Sequence, residues 1–450
     1  MFPVQSGIAL LRQFFSGVFL RNLSSAVIVQ ALLSAGNLAV GLILIRHASD
    51  AQYGYYVLVL NALMLITGAQ TQFIGPAMVQ RITVLPKTER ADFIGGLFHD
   101  QQRLLPVLGV LAAIIAAILG FAHILDVNEL VLVAAAIAAA LAAMYREFFR
   151  MVFLAYRLPT QVLRVDFLYV AMLVIGAALS TLTPYAANIT VTVLFTAALT
   201  GGLLLSRALA RAEPFNHTAK GGILRELAPI GAWTVAGGMI HWTYSQGYNF
   251  LIVGTLDVKA VAAVAATRLL MMPINMLSTG VGSLMLPTAS AWLLKYRPSV
   301  VFRRLLLICC GLAALALCYL SVIWFMRGLI FEDILHKQFE NRDLLIELWS
   351  IIFLLMIFRD QLLFLPLARA RYRALTILTM ACAVLSLTVS YFSMLRMGTL
   401  GALVGVLTGE SINVLGLVCM SFIEMRREMP TPDAQPLVAA AAVAAESEFT

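Results

Sequence analysis

Four arginines, Arg146, Arg150, Arg268 and Arg359, fall inside runs so apolar that they read as membrane spans. A charged side chain facing lipid at a bilayer centre costs roughly 2.5–3.5 kcal/mol on insertion scales, so intramembrane arginines are expected to turn inward. Permanent positive charge around an internal cavity suits an anion that already resides in the membrane. These four are therefore the candidate anion-binding residues. Arg146 and Arg150 are four apart and project from one face of a helix. Glu147, three residues before Arg150, offers it an internal partner as the alternative. Arg268 has no carboxylate three or four positions away, which leaves a cavity anion or a cross-helix ion pair. Arg359 and Asp360 are adjacent, so their side chains diverge by about 100° and are expected not to pair with each other.

Carboxylates are the second candidates. Glu410 lies in the middle of the last apolar run, and with Asp360 it is a candidate for ion coupling, as a protonatable or cation-binding group. A buried structural carboxyl is the alternative for Glu410. Asp166 opens an apolar run and reads more simply as a helix N-cap. The third set is uncharged: Gln30 and Asn37 in the first run, Gln72 in the second, and His241, Tyr244 and Asn249 in the seventh. Rings cover the apolar faces of sugars and amides bond hydroxyls, so this mixture suits a glycan. An interfacial aromatic belt is the alternative for Tyr53, Tyr55, Tyr56 and Tyr248. Nucleotide, zinc-protease and serine-hydrolase motifs are absent, and no loop is large enough for a catalytic domain. Neither a metal nor a cofactor is expected. The five cysteines lack ligand spacing and read as small buried hydrophobes.

The elements that must hold these side chains follow from composition. Of 450 residues 61% are hydrophobic and 12% charged, with a mean hydropathy of +0.91. A soluble domain cannot hide that much apolar surface, which points to an all-α polytopic membrane protein. Runs long enough to cross about 30 Å of hydrocarbon number twelve, at about 23–45, 55–79, 104–125, 130–156, 166–182, 187–206, 227–253, 262–291, 305–326, 344–367, 374–394 and 399–423. The polar stretch near the middle divides them into two lobes of six. The expected organisation is an amphipathic segment over 1–22, an N-lobe over 23–206, a linker over 207–226, a C-lobe over 227–425 and a disordered tail over 426–450. Asn37 and Asn249 recur 212 positions apart and Pro76 and Pro287 211 apart, as a parallel duplication with the site between lobes would place them. Pro273, Gly280, Gly282 and Pro287 mark the eighth run as a place for a break.

With the N-terminus inside, 21 of the 31 basic residues fall on the cytoplasmic side, six fall outside and four are the intramembrane arginines. The net charge of +8 is thus topological, with both termini cytoplasmic, and is no nucleic-acid footprint. The first apolar stretch, interrupted by Arg12 and Arg21, is not expected to be a cleavable signal.

The stretch Gln30…Asn37…Arg46-His-Ala-Ser-Asp-Ala-Gln-Tyr53-Gly54 resembles the first hairpin of polysaccharide-export flippases, the Wzx-type branch of the MOP superfamily, whose first outer loop typically ends in Tyr-Gly. Ala265-Ala-Thr-Arg268-Leu269, Leu286-Pro287 and Gly398-Thr-Leu-Gly401-Ala402 resemble recurring features of the second half. The resemblance covers about residues 20–425. The second-half loop has Val261-Ala262 where the first has Tyr-Gly. The resemblance implies a MOP/MATE-like fold of two six-helix lobes around a cationic cavity, working by alternating access. It further implies an undecaprenyl-diphosphate-linked oligosaccharide as substrate, moved from the inner to the outer leaflet of a bacterial inner membrane for exopolysaccharide, capsule or O-antigen assembly. Membrane lipid is one partner, and a polysaccharide polymerase and co-polymerase are candidates. Two alternatives stand beside it. A multidrug or cation antiporter of the same fold would want acidic residues to dominate the lumen, whereas arginines are expected to outnumber them here. A membrane enzyme of polysaccharide assembly would want a large outer loop.

Overall fold

The computed structural model describes residues 17–426 except 157, 213–215, 217–218 and 370. The tail after Arg426 and most of the expected amphipathic segment 1–22 lie outside these residues. The described residues form helices α1 (Gly17–His47), α2 (Asp50–Val84), α3 (Lys87–Phe121), α4 (Val127–Ala155), α5 (Pro159–Ser180), α6 (Ala186–Ala212), α7 (Ile223–Thr255), α8 (Val258–Leu269), α9 (Met272–Lys295), α10 (Pro298–Gly328), α11 (Arg342–Leu362), α12 (Phe364–Ala368), α13 (Tyr372–Met397) and α14 (Thr399–Arg426). Every backbone polar group in hydrocarbon needs an internal partner, and helices supply it within one segment.

Each of the twelve expected runs finds a helix. Among the described residues nine helices are long and apolar enough to cross a membrane, and α8 with α9 makes a tenth, bent by 56°. Among its described residues α1 is apolar over Ala31–His47. The remaining span, α7, has 33 residues but fails on apolarity, since His241, Gln246 and Asn249 sit in its second half. The eighth run breaks earlier than its prolines suggested, at Leu270–Met271. Pro273 instead opens α9, and Gly280 and Gly282 lie inside an unbroken helix. Proline at a first helical turn loses no hydrogen bond, so it starts α9 rather than kinking it.

Within the N-lobe α4 packs on α6 and α1 on α5; within the C-lobe α13 packs on α14 and on α7. Small residues set these distances, as in membrane helices generally. Gly401, Gly405 and Gly409 recur every four residues along α14. A Cβ at these positions would strike, in turn, the backbone of Ser393 and Met394, that of Ser390, and the Ser386 side chain. The hairpin before them turns on Gly398, whose φ of 56° is open to glycine without strain. Two of the five cysteines, Cys309 and Cys382, are buried as expected. Cys310, Cys318 and Cys419 lie on outer helix faces, where lipid is equally apolar.

The lobes meet mainly along α2, which packs on α7 and α8. Gly54 explains the Tyr-Gly pair of the first hairpin: a Cβ there would collide with the carbonyl oxygen of Val258 at the start of α8. At the same end Lys337, from the loop before α11, donates to Asp50 at 2.6 Å and to the Ala48 carbonyl at 2.9 Å. The α10–α11 loop of one lobe thereby closes over the α1–α2 hairpin of the other. The opposite end carries most of the basic residues and is joined differently. There Arg81 of α2 meets Glu226 of α7 at 3.3 Å. Asp100 of α3 accepts from the backbone N–H of Gly222 (2.7 Å) and of Leu224 (2.9 Å). That carboxylate caps α7 and fastens the inter-lobe linker to the N-lobe. On the other side of the molecule α1 approaches α8 where Gly41 meets Leu269. From there toward the basic end, α1 and α9 make no sustained packing contact among the described residues.

Candidate functional site

Arg146 and Arg150 project from one face of α4, as their spacing requires, and both reach Asp166. Arg146 forms a short hydrogen-bonded ion pair with it, and Arg150 contacts it at 3.2 Å. Arg150 also takes the internal partner weighed for it, Glu147, at 3.0 Å. The Arg146 guanidinium lies 3.8 Å from the centre of the Tyr169 ring, with its stem packed under Gly201. Asp166 is completely buried and is not an N-cap: Leu158 caps α5, which begins a full two turns earlier than expected, at Pro159. Proline at N1 set that start. Two cations thus face two carboxylates, and the charge of this cluster is internally balanced.

The C-lobe cluster gathers α7, α9, α11 and α14. Arg359 donates to Glu410 at 2.5 Å and, through Nε and Nη2, to its neighbour Asp360 at 3.0 and 2.8 Å. The expectation that Arg359 and Asp360 would not pair is therefore corrected. Their Cα–Cβ directions diverge, but a guanidinium on a long stem reaches back over one residue. Ser278 of α9 donates to the other Asp360 oxygen at 3.0 Å. Tyr244 stacks near Arg359, 5.9 Å from ring centre to guanidinium, and Glu410 Oε2 accepts no hydrogen bond of normal length.

Arg268 is different. It occupies the last turn of α8, next to the 56° break. It forms no ion pair in the described structure. Its Nη1 donates to Gln246 Oε1 at 2.7 Å and to the Tyr248 hydroxyl at 3.1 Å. Trp349, anchored by its indole N–H on the Val264 carbonyl, stands 5.5 Å away. The C-terminal carbonyls of α8 favour a cation at this point. The cationic set expected from sequence therefore narrows to one arginine without a carboxylate and three held in ion pairs. Inside the spans five carboxylates (Glu147, Asp166, Asp360, Glu410 and the exposed Glu347 near the start of α11) stand against the four arginines, so the expected excess of arginine is corrected too.

The uncharged candidates separate. Gln72 is exposed and packs on Gly238 of α7, and its carbonyl accepts from Thr234 at 2.6 Å. His241 is exposed, one turn before Tyr244. Asn37 is half-buried on the face of α1 that one turn later presents Gly41 to Leu269. Tyr244 and Asn249 are buried behind them, and Asn249 bonds Gln246 at 3.3 Å, tying it to the residue that holds Arg268. The Gln30 side chain lies outside the described residues. Sequence reasoning missed Gln246 and Tyr248 as the Arg268 partners, although both sat in the polar half of α7. It also missed Gln101, whose amide converges with that of Gln70 on the Met144 carbonyl, at 3.1 and 2.9 Å.

No protein-family model matches the chain, and no curated protein matches it in sequence. Solved structures do match its fold. An inward-facing multidrug resistance MATE family transporter of the MOP superfamily is similar over 87% of this chain and 94% of its own, with a TM-score of 0.69 at 14% identity. The lipid II flippase MurJ in an inward closed conformation is similar over 87% and 86%, with a TM-score of 0.68 at 11% identity. An outward-facing MATE family transporter gives 0.60 over 91% and 95%, at 13% identity. The chain thus has the all-α, multi-pass fold of these transporters and this flippase.

Proposed function

We propose that this chain is a flippase that carries an undecaprenyl-diphosphate-linked oligosaccharide from the inner to the outer leaflet by alternating access between its two lobes. Arg268 carries the reading: it is a cation with only neutral partners, at a broken helix beside the contact between lobes. One charge pair at 4 Å contributes about 4 kcal/mol at an effective dielectric near 20, enough to draw a diphosphate from its headgroup layer. Little contact between α1 and α9 among the described residues would give a lipid tail a way to remain in the bilayer while its headgroup lies between the lobes. His241, Gln72 and Asn37 offer amide and imidazole contacts to sugar hydroxyls on the same inner surfaces. The basic end belongs in the cytoplasm by the positive-inside rule, so the headgroup would enter from there. The resemblance of the first hairpin and of the Arg268 segment to polysaccharide-export flippases supports the same substrate class.

The balanced carboxylates keep one rival in view, a cation antiporter built on the same fold. Reconstitution separates the two. Proteoliposomes holding a fluorescent polyprenyl-diphosphate oligosaccharide should show faster loss of inner-leaflet label than empty vesicles, while an organic-cation dye should not be expelled under a proton or sodium gradient. Dye efflux without lipid translocation would replace the flippase reading with the antiporter.

A further inference from the structure

At the basic end of the N-lobe α3 and α6 flank α4 without packing on each other, and the cleft between them opens a cavity of about 410 Å³. Its floor is aromatic: Tyr145 and Phe149 of α4 meet edge-on at 5.1 Å, and Phe98 of α3 packs on Phe149 at 5.4 Å. Its rim is polar, formed by His99, Gln102, Ser206 and Arg207. Arg207 lies about 8 Å before the end of α6, at 1.5 Å per residue, which sets the cavity at the edge of the membrane span rather than in its middle.

Charge in this cleft is one-sided. No carboxylate lines it, and α6 contains none along its length. Among the described residues the nearby acids are committed elsewhere: Asp92 accepts from Asn216 at 2.8 Å, Asp100 holds the linker backbone, and Glu147 pairs with Arg150. Arg207 forms no ion pair in the described structure, and Arg103 and Arg211 follow His99 and Arg207 one turn later on the same faces. The guanidinium and amide on the rim donate hydrogen bonds, as does an imidazole N–H, and the Ser206 hydroxyl already spends its proton on the Leu203 carbonyl.

We propose that this α3–α4–α6 cleft binds the phosphodiester headgroup of an anionic membrane lipid. A guanidinium fork matches phosphate oxygens in pairs, and basic pockets between spanning helices on the cytoplasmic side favour such headgroups. The aromatic floor suits the glycerol and first methylenes below the phosphate, and it argues against a fully hydrated soluble anion. The cleft lies outside the arginine clusters and is independent of the transport reading.

Native mass spectrometry of the full chain in detergent, titrated with dioleoyl phosphatidylglycerol, tests the site. Wild type should retain one phosphatidylglycerol in preference to phosphatidylcholine. Arg207→Gln with His99→Gln should weaken that retention roughly tenfold or more, the loss of at least one charge-assisted contact, and Arg207→Lys should fall between. Arg303→Gln, another exposed basic-end residue, should leave retention unchanged. Equal loss in Arg303→Gln, retention unaffected by the double substitution, or full competition by inorganic phosphate would each overturn the assignment. Monodisperse elution of every variant guards against misfolding as the cause.

Discussion

Replacing Arg268 isolates the charge on which the transport reading depends. Arg268→Gln removes the charge and leaves behind only neutral partners, Gln246 and Tyr248, which lie 2.7 and 3.1 Å from the native guanidinium. No buried carboxylate is stranded, so the folded protein should persist. Substrate binding should suffer far more. The interaction of about 4 kcal/mol at 4 Å and an effective dielectric near 20 corresponds to nearly three decades in affinity at 1.4 kcal/mol per decade. We expect the concentration of polyprenyl-diphosphate oligosaccharide giving half-maximal translocation in proteoliposomes to rise on the order of 100- to 1000-fold. Arg268→Lys should keep the point charge, lose the fork and fall between. An uncharged glycolipid analogue supplies the control, since its translocation owes nothing to Arg268 charge. Wild-type affinity for the diphosphate in Arg268→Gln, or equal loss for charged and uncharged lipids, would refute a binding role for this cation.

Three further outcomes follow from the ion pairs. Arg146→Ala should lower the stability of the detergent-solubilised protein by about 3–5 kcal/mol, because it leaves the buried Asp166 short of its main partner; the paired change Arg146→Met with Asp166→Leu should recover most of it, and a stable single variant would deny the pair its structural role. Asp50→Asn should release the Lys337 contact, a half-exposed pair of about 1 kcal/mol or less, and quicken labelling of a cysteine at Ala260 up to about fivefold; unchanged labelling would mean that this contact does not hold that end shut. Glu410→Gln should abolish stimulation of transport by an imposed proton or sodium gradient, whereas stimulation equal to wild type would make the Arg359–Glu410 pair purely structural.

Apolar length is a one-dimensional property, which is why all twelve runs were legible from the sequence. Partners across helices are not. Asp166 lies 20 positions from Arg146, and only the packing of α5 on α4 brings them together. The Arg359–Asp360 pair failed for another reason: the 100° rule describes Cβ directions and ignores the reach of a long side chain. For Arg268 the sequence showed only that no acid lies within one turn; that no carboxylate on another helix pairs with it is a property of the packing. Gly54 and Gly401 were visible within motifs, but their purpose, close approach of Val258 and of Ser393 and Met394, and the continuation of the glycine repeat through Gly405 and Gly409 emerge only from the packing. The Asp100 cap on α7 had no sequence signal, since residue and helix start are separated by 122 positions.

The pairing of buried charges has an electrical consequence. Arg146 and Arg150 offset Glu147 and Asp166 in one lobe, and Arg268 and Arg359 offset Asp360 and Glu410 in the other. With these groups ionised, the alternating access proposed above would carry no net charge from these eight groups through the transmembrane field. A voltage then does work on the passenger alone, about 2.3 kcal/mol per elementary charge per 100 mV. In a cell whose interior is negative, that work would push the proposed anionic headgroup outward and would not oppose the empty return. The resting potential would bias the cycle in the export direction without any voltage sensor in the protein.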